Sequence, residues 1–145
     1  MNWREEAKEK LRKYSAMRLA VVNIPVEIKR LEVDAKSIRS AKIDATPMPG
    51  GGNRREEALL NNIAHRQELT WTLEQAKLWL RITDRALTTL SSEDKQILHM
   101  LYIYPQKGNL EQLCTKLNIE KSSIYRRRDK ALERFALSLY GATES

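Results

Sequence analysis

A chain of 145 residues, 41% hydrophobic and 31% charged with only 5 glycines and 4 prolines, has the balance of a folded, helix-rich protein and excludes a disordered one. Its net charge of +7 at pH 7 favours an anionic partner. The single cysteine, Cys114, excludes an internal disulfide framework and a thiolate zinc cluster and fits a reducing cytoplasm. No stretch approaches the roughly 18 apolar residues of a membrane span, and the opening Met-Asn-Trp-Arg-Glu-Glu has no apolar signal region. A soluble, non-exported protein is expected.

The first helix starts at Asn2, which with Glu5 has the spacing of a capping box. Trp3, Ala7, Lys10, Tyr14, Met17, Val21, Ile24, Ile28, Leu31, Ala35 and Ile38 then recur in alternating steps of four and three, a heptad seam broken only by Lys10. Pro25 falls inside the seam, yet the heptad phase runs through it unchanged, which predicts a kinked continuous helix in preference to a break. Ala45 to Gly52 read as a loop. Asn53, with Glu56 three residues on, caps a second helix to about Leu90 through Leu59, Ile63, Leu69, Leu73, Ala76, Leu80, Leu87 and Leu90. Trp71, Trp79 and Ile82 widen its apolar face.

Each of these helices would be on the order of 55 to 60 Å long, and the linker lets them fold back as a coiled-coil-like antiparallel hairpin. Two helices do not enclose a wide apolar face, so a homodimer is expected. The predicted domains are residues 1–90, a helical hairpin for dimerisation, and residues 91–145.

In the third segment Ser91 or Ser92 caps a helix bearing Ile97, Leu98, Leu101 and Tyr102, and Pro105 with Gly108 ends it. Asn109, with Gln112, caps a helix of about two and a half turns whose Leu110, Leu113, Cys114 and Leu117 share a side. Asn118 and Ile119 form a tight turn, and a last helix runs from about Glu120 to Tyr140, where Gly141 stops it. On that helix Ile124, Ala131, Leu132, Phe135 and Leu139 face inward, while Lys121, Ser122, Tyr125, Arg126 and Asp129 project. A short helix, a turn and a helix with a basic, polar first half is the build of a DNA-binding helix-turn-helix. The second helix of that motif enters the major groove, where arginine pairs with guanine O6 and N7 or with phosphate.

The stretch Leu-Ser-Ser-Glu-Asp-Lys-Gln-Ile-Leu, followed by the run from Leu110 to Phe135, resembles the fourth region of bacterial sigma factors over roughly the last 50 residues. The whole chain resembles the ArpU- and RinA-like transcriptional regulators of phages and prophages of Gram-positive bacteria. The resemblance implies an all-α fold and control of late phage genes in the cytoplasm of a bacterial host cell. It places Lys121, Ser122, Tyr125 and Arg126 in base-reading positions. Two departures stand out: Glu120 replaces the usual Ser or Thr cap, and Arg127 occupies a more often apolar position.

The candidate DNA-binding residues are therefore Lys121, Ser122, Ser123, Tyr125, Arg126, Arg127, Arg128 and Lys130, with double-stranded DNA as partner and RNA polymerase as a further one. Cys114 reads as core. His65 and His99 lack metal or catalytic partners in sequence, and Trp71 and Trp79 read as packing groups. No phosphate-cradling glycine loop, metal spacing or activated nucleophile is present, so neither enzyme activity, metal nor cofactor is expected. A small-terminase-like DNA-packaging adaptor and a coiled-coil structural protein without DNA binding are the competing readings.

Overall fold

The computed structural model describes residues 2–44 and 51–141. They form α1 (Trp3–Asp44), α2 (Gly51–Leu87), α3 (Ser92–Leu98) running on into a π-helical turn (His99–Ile103), α4 (Asn109–Leu117) and α5 (Lys121–Tyr140). There is no strand among the described residues, and the fold is all-α as expected. Pro25 lies inside an uninterrupted α1, so the helix does not break there. Pro25 is exposed, where water has access to the side of the helix that lacks its N–H.

Every member of the heptad seam on α1, from Trp3 to Ile38, is buried or half-buried, and so are the seam residues of α2 from Leu59 to Leu87. The packing falls into two compact units. One is Leu19–Lys77, in which α1 and α2 run antiparallel with Leu31, Ala35, Leu73 and Ala76 buried. The buried Asn62 donates from Nδ2 to the Leu31 carbonyl at 2.8 Å and accepts from Arg66 Nε at 2.8 Å. A satisfied buried amide costs little, whereas a slipped one is left unpaired, so Asn62 sets the level at which the helices pair.

The other unit joins the chain up to Arg18 with the chain from Leu78 onward. Ala7 and Leu11 of α1, Ala86 of α2 and Leu90 share one core with Leu98, Ile103, Ala131, Leu132, Phe135 and Ala136. The C-terminal helices, expected to stand apart from Ser91 onward, thus share their core with the first turns of α1 and the last turn of α2. Leu11, absent from the predicted seam, is fully buried, while its neighbour Lys10 lies 5.8 Å from the Trp79 ring and 5.7 Å from the Tyr140 ring.

The helix starts differ in detail from expectation. Asn2 Oδ1 accepts from the Glu5 N–H at 3.3 Å, but the Glu5 carboxylate pairs with Lys8 instead of returning to Asn2, so only half of the capping box forms. Helix α2 begins at Gly51, which puts Asn53 inside it rather than at its cap. The rest of the expected loop, 45–50, lies outside the described residues. Helix α2 ends at Leu87, and Thr88 and Thr89 turn the chain toward Ser91, whose side chain caps α3 by accepting from the Asp94 N–H.

Trp71 and Trp79 do not widen one common face. Eight residues rotate a helix by about 80°. Trp71 is accordingly 65% exposed, while Trp79 is half-buried with its ring centroid 6.5 Å from that of Tyr14. Ile82 is also exposed.

Candidate nucleic-acid interface

Helix α4 is entered through Gly108, whose φ of 82° is a left-handed conformation that strains any side chain. The Gln112 N–H donates to the Gly108 carbonyl at 3.1 Å. Asn109 is the first helical residue and not the cap. Its side-chain amide donates to the Met100 carbonyl, tying the start of α4 to the π-helical turn.

Leu113 is buried with Ile97 and Ile124, and Leu110, Cys114, Leu117 and Ile119 pack on that cluster. Helix α4 ends at Asn118, φ 52°, a left-handed residue for which asparagine is the natural choice after glycine. The N–H groups of Asn118 and Ile119 both donate to the Cys114 carbonyl. Glu120 then stands in extended conformation before α5 and gives it no side-chain cap.

Ile124, Ala131, Leu132, Phe135 and Ala136 bury one side of α5. This fixes what its other side presents. Ser122, Arg126 and Lys130, each four residues from the next, form a single exposed stripe. Lys121 and Tyr125, both exposed, lie along one flank with the half-buried Arg128. Ser123 and Arg127, half-buried, lie along the other, where they line a shallow depression with Ile119, Arg126 and Lys130.

The three successive arginines have three different surroundings. Arg126 donates from Nη2 to the uncharged Ser123 Oγ at 3.0 Å, a contact within its own helix that leaves its charge without a carboxylate partner among the described residues. Arg127 reaches back to α3, with Nη2 2.6 Å from Glu93 and 3.4 Å from Asp94. This partly answers why an arginine stands at a position expected to be apolar: its charge joins α5 to the acidic first turn of α3. Arg128 donates from Nε and Nη2 to Asp129 at 3.0 and 2.9 Å and lies 4.8 Å from the Tyr125 ring centroid.

A second concavity of the same unit is a groove of about 460 Å³ lined in part by Tyr14, Arg18, Lys95, His99 and Tyr104. The Tyr14 hydroxyl donates to Asp84, a partner 70 residues away that no local pattern announces. Burial, that hydrogen bond and the Asp84 charge push the Tyr14 hydroxyl up to about 12. His99 lies against Tyr104 at 5.0 Å between ring centroids, and His65 is exposed on α2. Among the described residues no three His, Cys, Asp or Glu side chains come together to hold a metal ion, and no helix is long and apolar enough to cross a membrane. Comparison with protein-family models, with curated proteins and with solved structures gives no match for this chain.

Proposed function

We propose that this protein is a sequence-specific DNA-binding regulator that reads the major groove with α5 through a helix-turn-helix formed by α4 and α5. The observation that carries this reading is the exposed Ser122, Arg126 and Lys130 stripe on a helix whose opposite side is anchored in the core. A rigid helix holding a cation and hydrogen-bonding groups on one open face suits a groove lined by phosphates and base edges. The resemblance to sigma factor region 4, and to regulators of late phage genes, supports it from the sequence side, and places the protein in a bacterial cytoplasm. Phage DNA is then the partner, and RNA polymerase is a further one.

Arg126 is assigned to a base edge and Arg128 to phosphate. Arg126→Ala is expected to cost about 1 to 3 kcal/mol on the cognate duplex and to relax preference at one base pair. Arg128→Ala is expected to weaken all sequences alike and to lower the salt slope by about one. Titrations on cognate and scrambled duplexes at several salt concentrations test both. Equal losses for Arg126→Ala on the two duplexes would reject the orientation of α5, and no effect of either variant would reject DNA binding. A DNA-packaging adaptor is the second reading, favoured by the apolar side chains exposed on both α1 and α2 within Leu19–Lys77.

A further inference from the structure

Within Leu19–Lys77, α1 exposes Leu19, Val22, Val26 and Val33 at 58%, 65%, 68% and 57%. At 100° per residue these four fall in a band about 60° wide, on the side of the helix away from the buried Leu31 and Ala35. Helix α2 repeats the pattern. Leu60 and Trp71, 66% and 65% exposed, with the exposed Ala64 between them, lie away from the buried Leu73 and Ala76. Each helix therefore carries an inner seam, satisfied within the chain, and an outer seam at the same heptad spacing that faces water.

The borders of the two outer seams carry opposite charge. Lys29 and Arg30 lie within about 65° of the midline of the α1 seam and Lys36 just beyond, whereas among residues 19–40 no carboxylate comes closer to it than about 90°. Glu56, Glu57, Glu68 and Glu74 flank the α2 seam, and by the same measure no cation does. Arg30 is already held by Glu27 and Asp34, and Glu74 by Lys77. Lys29 and Lys36 on one seam, and Glu56, Glu57 and Glu68 on the other, make no ion pair among the described residues.

We infer that a second copy of this chain covers these faces, the outer seam of its α2 packing on the outer seam of α1. Pairing α1 with α1 sets lysine against lysine, and pairing α2 with α2 sets carboxylates against carboxylates. Only the unlike pairing joins opposite charges. Register agrees with it. The Asn62 to Leu31 bond fixes which residues of antiparallel α1 and α2 stand level. A copy at the same height brings Val33 level with Leu60, Val22 with Trp71 and Lys36 with Glu57 of its neighbour. The two seams point to opposite sides of the helix pair, so one contact leaves one seam free on each copy. Association is head to tail and continues until a ring closes or a row ends. None of the residues assigned to DNA lies in this unit, so this contact and the DNA reading stand or fall separately.

Charge reversal in the full-length chain tests the contact, with helicity measured to verify folding. Lys29→Glu with Lys36→Glu, and separately Glu57→Lys with Glu68→Lys, are each expected to weaken self-association by about tenfold or more in sedimentation velocity. Mixing the two variants is expected to restore it, because each then offers its neighbour a complementary seam. Wild type that stays monomeric at high micromolar concentration, reversals without effect, or a mixture that does not recover would each overturn the proposal. Cysteine cross-linking in a Cys114→Ser background separates the geometries. Val33→Cys and Leu60→Cys chains are expected to cross-link only when mixed, and self-cross-linking of Val26→Cys would establish an α1-on-α1 contact and overturn ours.

Discussion

Three consecutive arginines on one helix differ in surroundings because each turn of about 100° gives them different neighbours. Arg127 is committed to Glu93 and Asp94, carboxylates 56% and 24% exposed, so water screens the pair and its worth is about 1 kcal/mol or less. Arg127→Gln is therefore expected to lower the denaturant midpoint slightly and to leave the ranking of DNA sequences unchanged. In the phosphate role proposed for it, Arg128 has to exchange Asp129 for phosphate, and a carboxylate beside it would repel DNA at every sequence. Asp129→Asn removes both costs and is expected to tighten cognate and scrambled duplexes by the same factor, read in the same titrations. At the far end of α5 the Tyr140 hydroxyl is buried without a hydrogen-bond partner among the described residues. Burial and the Glu6 charge both push its pKa above the ordinary tyrosine value and so disfavour its ionisation. Tyr140→Phe discards the unpaired group while keeping the ring under Lys10, and is expected to stabilise the protein by up to about 1 kcal/mol in thermal unfolding.

At the scale of elements, most of what periodicity governs was legible. The seams of α1 and α2, the Ser91 cap, the turn at Asn118 and the stop at Gly141 all follow from local spacing and backbone preference, which a linear sequence displays directly. What escaped depends on partners distant in the chain. Asn62 looks like a surface residue until it meets Leu31, Arg127 gives no sign of Glu93, and Tyr14 gives no sign of Asp84. A strict heptad admits one of two neighbouring positions and takes Lys10, whereas this end of α1 buries Leu11 fully and leaves Lys10 half-buried. For the candidate interface, the inward face of α5 was readable from its apolar residues, and with it the open stripe; the sorting of the arginines was not. The Tyr14 to Asp84 link also carries a pH signature. Its hydroxyl moves from an ordinary value of 10.0 to about 12, first through burial and then through the bond to Asp84 and its charge. The neutral form is the one the fold prefers, so this contribution is complete below pH 10 and is lost as pH rises toward 12. Tyr14→Phe is expected to be less stable than wild type at neutral pH and to lose less stability than wild type between pH 10 and 12, measured by urea unfolding.

For the molecule as a whole, the proposed self-association and the proposed DNA reading are linked, because the symmetry of an assembly sets the symmetry of the sites it selects. The homodimer expected from the sequence, if it has a two-fold axis, presents its two reading helices in opposite directions and selects inverted half-sites spaced by whole turns of DNA. A head-to-tail contact relates neighbours without a two-fold axis, so successive copies present α5 in the same sense. Bound DNA is then expected to contain direct repeats, and selection of bound sequences from a random pool, followed by footprinting, reads their orientation. The control is internal to the protein. The Lys29→Glu, Lys36→Glu variant keeps every residue assigned to DNA and loses the neighbour contact, so it is expected to select single half-sites with the same base preferences and to show no cooperativity between adjacent ones. Inverted repeats recovered with wild type would place a two-fold axis in the assembly and reject the head-to-tail contact while leaving α5 as the reading helix. Direct repeats bound by a short row of copies support regulation, whereas a closed ring of many subunits that binds DNA without such repeats supports the packaging reading.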